Sequence, residues 1–235
     1  IQHGGKVIVE CQPSLVPLFE QMSGLQQVLP WGSPLPEFSV QASLLSLPRI
    51  LGTTLENIPN QCPYLAAPEP LMFDLPKADL ATLKVGLVWG GNPQHSNDRD
   101  RACPLSELRP LLNIPGITFY SLQKGIHQEA LKSANLPIID LGDRLHNFAD
   151  TAAAIAQLDL VISVDTAVAH LAGAMGKPVW ILLSFAPDWR WLMDRTDSPW
   201  YPTARLFRQS RRQDWAGVCA SVATALQDWS RDRAH

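Results

Sequence analysis

The sequence has no apolar run long enough to cross a membrane. Its longest apolar stretches are Leu158–Val164 and Pro178–Leu183, and a membrane-spanning helix needs roughly 20 residues. The chain also has little excess charge, with a net charge of -3 over 235 residues. Its acidic and basic residues are interspersed, so the sequence has no basic field for nucleic acid and no polybasic patch for a membrane surface.

Cysteine is scarce and scattered. The chain has 4 cysteines, Cys11, Cys62, Cys103 and Cys219, and no C-x-x-C pair. This pattern favours free thiols in a reducing compartment over disulfides or a zinc site, so we expect a cytoplasmic protein. The histidines lack H-x-x-x-H and H-E-x-x-H spacing, and we therefore expect neither a metal site nor a cofactor.

The sequence also lacks internal repeats, low-complexity segments and an initiating methionine. It begins with Ile1, and Gly4–Cys11 is typical of the run into an internal strand, so we expect the chain to begin inside a domain. The 46% of apolar residues are enough for the core of one large domain or two small ones.

From Lys84 onward, short β-branched runs alternate with helix-like segments, which predicts a parallel sheet covered on both faces. The predicted strands are Lys84–Trp89, Ile117–Leu122, Pro137–Asp140, Leu158–Val164, Pro178–Leu183 and Ala204–Arg208. The predicted helices are Leu105–Leu112, His127–Ser133, Asn147–Gln157, Thr166–Met175 and a C-terminal helix from about Asp214 to Trp229. We therefore expect an α/β, Rossmann-like domain.

The pattern before Lys84 is weaker. It predicts a strand at Lys6–Cys11, a helix at Ser14–Met22 and a strand near Val28. Prolines then cluster between Ile58 and Lys77, where missing backbone donors prevent regular structure. We expect residues 1–76 to form a partial N-terminal domain with its linker. Residues 77–235 would form the second domain, with its last helix packing back toward the first.

The strongest local signal is the predicted strand Leu158–Val164, which ends in Asp165-Thr166 and passes directly into a helix of small residues. Free amides at the start of such a helix carry partial positive charge and suit a diphosphate. Thr166 would add a hydroxyl donor, and Asp165 would accept from a sugar or ribose hydroxyl. The alternative is that one of these residues only caps an ordinary helix.

This segment resembles a signature of the heptosyltransferase-like glycosyltransferases of family 9, in particular their members linked to TPR repeats. The resemblance rests on Asp165-Thr166-Ala167-x-x-His170-Leu171-Ala172 followed by Gly176-Lys177-Pro178. Ala167 departs from the usual glycine of that motif, which narrows the space for a phosphate but keeps the amide. The resemblance implies the GT-B fold, here with a complete C-terminal Rossmann-like domain and an incomplete N-terminal one.

Upstream, Val85-Gly-Leu-Val-Trp-Gly-Gly-Asn-Pro93 and Asp98-Arg99-Asp100-Arg101 resemble the first strand and loop of the family's donor domain. There a basic residue three positions before a proline meets the donor phosphates, which points to Arg101, with Arg99 as a second candidate. The alternative is a solvated loop of mixed charge. Asp98-Arg99-Asp100 also matches the D-x-D metal motif of another glycosyltransferase fold, which we reject because the sheet context differs.

Further candidates follow other predicted strands of the same domain. Ser121 and Lys124 end the second strand and should face the same crevice. The alternative is that Lys124 is an ordinary loop lysine. Trp189 or Trp191 would stack on a nucleobase and Arg190 would reach its phosphates, unless the tryptophan is simply packed. His170 would either face the cleft or fill the helix interface.

The resemblance implies an inverting, metal-independent transfer of a sugar from a nucleotide-diphosphate donor to a hydroxyl of a glycan, lipid or protein. Family members carry their general base on a loop of the N-terminal domain, which we expect upstream of Ile1. This chain alone is then expected to bind donor but transfer sugar poorly. The alternatives are a nucleotide-sugar epimerase of the same fold and a non-catalytic binding module of a TPR protein.

Overall fold

A computed structural model of the chain describes residues 5–71, 73–76, 82–95 and 98–233. Its strands are β1 Val7–Cys11, β2 Leu25–Pro30, β3 Leu83–Val88, β4 Ile117–Ser121, β5 Ile138–Asp140, β6 Leu160–Val164, β7 Val179–Leu183 and β8 Ala204–Arg208. Its α-helices are α1 Val16–Phe19, α2 Leu47–Ile50, α3 Asp98–Arg101, α4 Arg109–Leu112, α5 Ile126–Ala134, α6 Phe148–Ala156, α7 Ala167–Ala174 and α8 Trp215–Arg233. Short 3-10 turns lie at Pro13–Leu15, Leu44–Ser46, Leu105–Leu108, Gly142–Arg144 and Trp189–Trp191.

The main sheet has six parallel strands in the order β5-β4-β3-β6-β7-β8. Every residue of β6 and β7 is buried, as expected for apolar strands with helices on both faces. After β3 the chain winds toward one edge, and from β6 it winds toward the other. The switch point between β3 and β6 is where ligands bind in open α/β sheets. The predicted α/β, Rossmann-like architecture is confirmed.

Helices cover both faces of this sheet. One core contains side chains of α6 and α7 together with Val161 and Ile181. The other contains side chains of α8 together with Leu160 and Ile162. Helix α8 packs on α4, on the 3-10 turn Leu105–Leu108 and on β8. It therefore covers the second face of the main sheet, where its apolar side chains complete the core, whereas we expected it to pack back toward the N-terminal segment.

The N-terminal segment forms a separate two-stranded parallel sheet of β1 and β2. Helix α1 packs on α6, and Leu18 is buried in the core of the main sheet. The proline-rich stretch contains no helix or strand among its described residues. It crosses the same face, where Gln157 Nε2 donates to Phe73 O at 2.6 Å. Lys77, where we expected the second domain to begin, lies outside the described residues.

Two predicted helices are shorter than expected. The segment Ser14–Met22 contains a 3-10 turn and the four residues of α1, which has proline in its first turn and is followed by Gly24 at a φ of 87°. Leu105–Leu112 likewise divides into a 3-10 turn and α4, again with proline in the first turn. Proline lacks the amide that would join the two parts. Within the described ranges, no helix is long and apolar enough to cross a membrane.

Candidate donor-binding site

A cleft of about 830 Å³ opens along the carboxyl ends of β3, β4 and β6. The N-terminal segment contributes Ser14 to its wall. Leu122, Leu145 and Phe148 form an apolar stretch of the lining, while Asp165 and Arg101 form a polar one. The cleft therefore combines an apolar slot with a charged centre at the switch point of the sheet.

The first turn of α7 faces the centre of this cleft. Asp165, Thr166 and Ala167 line it, and Thr166 holds the N-cap position without making a capping hydrogen bond. Its Oγ1 instead lies 3.0 Å from Ser163 Oγ. Because the Thr166 side chain does not cap the helix, the first-turn amides and the positive end of the helix dipole suit an anionic ligand.

Arg101 brings a guanidinium to the same place from α3. Its Nη1 lies 3.9 Å from Asp165 Oδ2, at the outer limit of an ion pair. Its Nε is buried and has no hydrogen-bond partner among the residues that the structure describes. A guanidinium with one long ionic contact retains donors for a phosphate.

The glycine loop after β3 is held by side chains from neighbouring elements. Gln123 Oε1 accepts from the amides of Trp89 at 3.0 Å and Gly90 at 2.8 Å, and Gln123 Nε2 donates to Gly90 O at 3.1 Å. Asp98 Oδ1 accepts from Gly91 N at 3.1 Å. A Cβ at Gly90 would lie 2.3 Å from the His127 ring, so this close approach requires glycine. Gly90 and Gly91 are therefore held in place by contacts within the protein.

Lys124 and Ser121 differ in their access to the cleft. Lys124 lines it, and its Nζ donates to the carbonyls of Gly142, at 2.9 Å, and Leu145. This ammonium anchors the wall and retains one further proton for a ligand. Ser121 is fully buried, does not line the cleft, and accepts a hydrogen bond from Gln123 N at 3.2 Å.

His170 faces the cleft and also packs against the interior, so both roles that the sequence left open are realised. Its Nδ1 lies 3.0 Å from the Tyr201 hydroxyl, and its Nε2 lies 3.7 Å from Asp165 Oδ1. The ring stacks on Trp191 at 5.1 Å between centroids. Burial lowers the pKa of His170 below its ordinary value, against the opposing effect of Asp165. The imidazole is thus held on three sides, and its burial favours the neutral form.

Only one of the remaining arginine and tryptophan candidates lines the cleft. Arg190 lines the cleft, and its Nη1 donates to Asp188 Oδ1 at 2.7 Å. Trp189 is 61% exposed and does not line the cleft; its ring lies under the Arg190 guanidinium at 4.8 Å. Trp191 is fully buried. Arg99 shares α3 with Arg101 but is exposed and outside the cleft.

The family comparison matches the segment that carries most of these residues. Residues 124–191 match the model of glycosyltransferase family 9 (heptosyltransferase). This match shows a likeness to that family over 68 of the 235 residues. The family 9 match includes Lys124, the Asp165–His170 motif and Arg190, whereas Arg101 precedes it.

Two individual proteins extend the comparison. Protein FlbA of Caulobacter vibrioides (strain ATCC 19089 / CIP 103742 / CB 15) is 33% identical over 193 residues, which are 77% of this chain and 31% of FlbA. The chain thus spans about a third of that relative's length. The structure of E. coli ADP-heptose lps heptosyltransferase II aligns with a TM-score of 0.60 and 13% identity, over 99% of this chain and 91% of that one. This likeness shows that the chain shares the α/β fold of that structure and no more.

Sequence reasoning missed the residues that hold the site together. Gln123 anchors the glycine loop from the neighbouring strand, and Tyr201 orients His170 from 31 residues away. The sequence pattern assigns neither residue a role, because these roles depend on which strands are adjacent in space. The only local signal was that Gln123 lies at the carboxyl end of a predicted parallel strand.

Proposed function

We propose that this chain holds the donor in a glycosyl transfer, with a nucleoside diphosphate sugar bound along the cleft. The observation that carries the proposal is the start of α7, which the Thr166 side chain does not cap. Beside it in the cleft lies Arg101, whose Nε has no hydrogen-bond partner among the residues that the structure describes. The diphosphate would accept from the amides of Ala167 and Val168 and from Arg101. Such charge-assisted contacts are the strong ones in anion sites.

The apolar part of the cleft supports a nucleobase at one end of the ligand. Leu122 and Leu145 are buried, and Phe148 is half-buried, beside Thr151. A flat ring suits such a wall. Lys124 lines the same cleft, and its remaining proton would be donated to a ribose or phosphate oxygen. Trp189 is not needed as a stacking platform in this arrangement.

The proposed reaction is an inverting, metal-independent displacement at the anomeric carbon. The acceptor hydroxyl oxygen forms the new bond to that carbon as the bond to the diphosphate breaks, and the bonding pair leaves on the diphosphate. The acceptor proton goes to a general base outside the residues that we assign to donor binding. Arg101, Thr166 and the amides of α7 would stabilise the developing charge on the leaving group.

Binding of the bare nucleoside diphosphates tests the proposal. ADP, GDP, UDP and CDP are compared by the shift in thermal unfolding, since a ligand at 100 times its Kd stabilises the folded state by about 2.7 kcal/mol. We expect at least one to raise the unfolding temperature, while the matching nucleoside without phosphates raises it much less. If all four leave it unchanged, the assignment of the α7 amides and Arg101 to a diphosphate is wrong.

Turnover separates transfer from its alternatives. The sugar form of the nucleotide that binds is incubated with cell extract as the source of acceptor, and release of nucleoside diphosphate is followed. Release that depends on the extract supports transfer. Tight binding without release favours a binding module, and an altered sugar still joined to the nucleotide favours epimerisation.

A further inference from the structure

A second, smaller recess opens beside the cleft at the carboxyl ends of β7 and β8. Its volume is about 240 Å³. It shares Arg101, Asp165 and Asp188 with the cleft and adds Ser184 and Gln209. The two spaces are therefore joined at the residues that surround the start of α7.

Gln209 has an oriented and unsatisfied amide. Its Oε1 accepts from Phe185 N at 3.1 Å and from Gln213 N at 3.0 Å, which determines which end of the amide is the oxygen. The residue is only 6% exposed, and its Nε2 has no hydrogen-bond partner within the described part of the chain. Buried amide donors almost always have a partner, so this one indicates an acceptor that the protein itself does not provide.

The lining of the recess favours a hydroxyl group over an anion as that acceptor. Asp100, Asp165 and Asp188 contribute three carboxylates to the recess, and Arg101 and Arg212 contribute two guanidinium groups. The lining therefore has no excess of positive charge for a second phosphate. The contacts of Asp165 are long, at 3.7 and 3.9 Å, so it can still accept a hydrogen bond. A hydroxyl group both donates and accepts and can therefore satisfy Asp165 and Gln209 together.

The order of the strands favours a sugar ring as the bearer of these hydroxyls. The apolar stretch of the cleft lies toward β4 and β5, the start of α7 follows β6, and the recess lies at β7 and β8. A base, a diphosphate and a sugar follow each other in the same order in a nucleotide sugar. Phe185, which is 48% exposed, offers an apolar surface to the face of a ring.

We propose that this recess takes the sugar ring of the donor, and that Gln209 Nε2 donates to one of its hydroxyl oxygens. The inference rests on the proposed function, since it places the sugar next to a diphosphate at α7. It makes Gln209 a specificity-determining residue, because a ring without a hydroxyl at that position leaves the buried amide unsatisfied.

Two substitutions test the role of Gln209. Gln209→Glu keeps an oxygen for the amides of Phe185 and Gln213 and removes the donor, while Gln209→Met removes the donor without adding charge. Gln227→Glu on the exposed side of α8 is the matched control. Each protein is first shown to unfold cooperatively at a temperature near that of the unmodified chain.

Calorimetry then compares each bare nucleoside diphosphate with its sugar form, using ADP with ADP-glucose, GDP with GDP-mannose and UDP with UDP-glucose. We expect one sugar form to bind about tenfold tighter than its diphosphate, the factor that one hydrogen bond supports. Both Gln209 variants should lose this ratio, and Gln227→Glu should keep it. The ratio is the readout because added charge affects both ligands of a pair.

The possible failures are distinguishable. If a bare diphosphate binds but no sugar form binds more tightly, or if the ratio survives both Gln209 substitutions, the recess is not the sugar site while the proposed function stands. If no diphosphate and no sugar form binds, the proposed function itself is overturned.

Discussion

The centre of the main sheet and the N-terminal segment differ in how far their apolar side chains are buried. In β6 and β7 every side chain is buried, whereas Trp31, Val40 and Leu45 are 73, 87 and 79% exposed. The main sheet has helices on both faces, and the two-stranded sheet has no comparable cover among the described residues. Burial of apolar area is the dominant stabilising term, so the main sheet should determine the free energy of unfolding of the chain. The candidate site lies at the carboxyl ends of its strands.

The largest expected effect comes from removing side-chain volume in the two regions. Ile181→Ala in β7 should lower the free energy of unfolding by about 2 to 5 kcal/mol, because Ile181 is fully buried and a cavity remains. Val40→Ala should change it by less than about 0.5 kcal/mol, since the side chain is exposed. Denaturant unfolding measures both. Equal losses would mean that the N-terminal segment is buried in solution and that the contrast is wrong.

The second comparison lies within one helix, between Arg101 in the cleft and Arg99 outside it. Arg101→Ala should weaken binding of a nucleoside diphosphate by about 1.5 to 3 kcal/mol, the range for a hydrogen bond to a charged group. Binding of the nucleoside without phosphates should be almost unchanged. Arg99→Ala removes the same charge from the same helix and should leave both affinities unchanged. If the two variants behave alike by calorimetry, Arg101 acts only through net charge.

The third prediction concerns pH and the buried His170. Because burial lowers its pKa, the unfolded chain binds a proton that the folded chain does not in the pH range between this lowered pKa and about 6.5. The free energy of unfolding should therefore fall as the pH is lowered, by at most about 1.4 kcal/mol per pH unit from this residue. His170→Asn should reduce that slope. The ring contacts Tyr201 and Trp191. The charges that shift its pKa are those of Asp165, Arg190 and Asp188.

The matched control is His146→Asn, which removes an exposed imidazole. Urea unfolding of the three proteins between pH 5 and 8 gives the slopes. A slope that His146→Asn reduces and His170→Asn does not would contradict a neutral His170 in the folded state.

The sequence predicts the elements of the main sheet well, for a physical reason. Strands such as β6 and β7 are continuous apolar runs between helix-like segments, and burial on both faces requires that composition. The start of α7 was predictable for the same reason, since a turn after a parallel strand must lie at the ligand edge of the sheet. The surface against which α8 packs was not predictable, because an apolar helix face does not specify which of two surfaces it covers.

The parts of the site that sequence reasoning missed depend on contacts between distant segments. Gln123 and Gln209 differ from other glutamines only in that each is buried against backbone amides of a neighbouring segment. Trp189 and Trp191 are two residues apart, yet one is exposed and the other lies in the core. Composition and spacing cannot separate such pairs, because the difference arises when the sheet and its loops pack.

The smallest expected effect is that of removing divalent cations. Asp98-Arg99-Asp100 has the spacing of a D-x-D metal motif, but both carboxylates have other partners. Asp98 is buried and contacts Gly91 N and His127, and Asp100 Oδ1 accepts from Gln213 Nε2 at 3.0 Å. Among the described residues no group of three metal-ligating side chains occurs.

We therefore expect EDTA to leave the Kd of a nucleoside diphosphate unchanged within about twofold, since the α7 amides and Arg101 would supply the positive charge opposite the diphosphate. Calorimetry with EDTA, and again with excess Mg²⁺ or Mn²⁺, makes the comparison. Binding that requires either ion would contradict this prediction. If Asp100→Asn then abolished the effect of the ion while the exposed control Asp228→Asn kept it, the D-x-D segment would be a metal site, and the helix amides would not carry the proposed role.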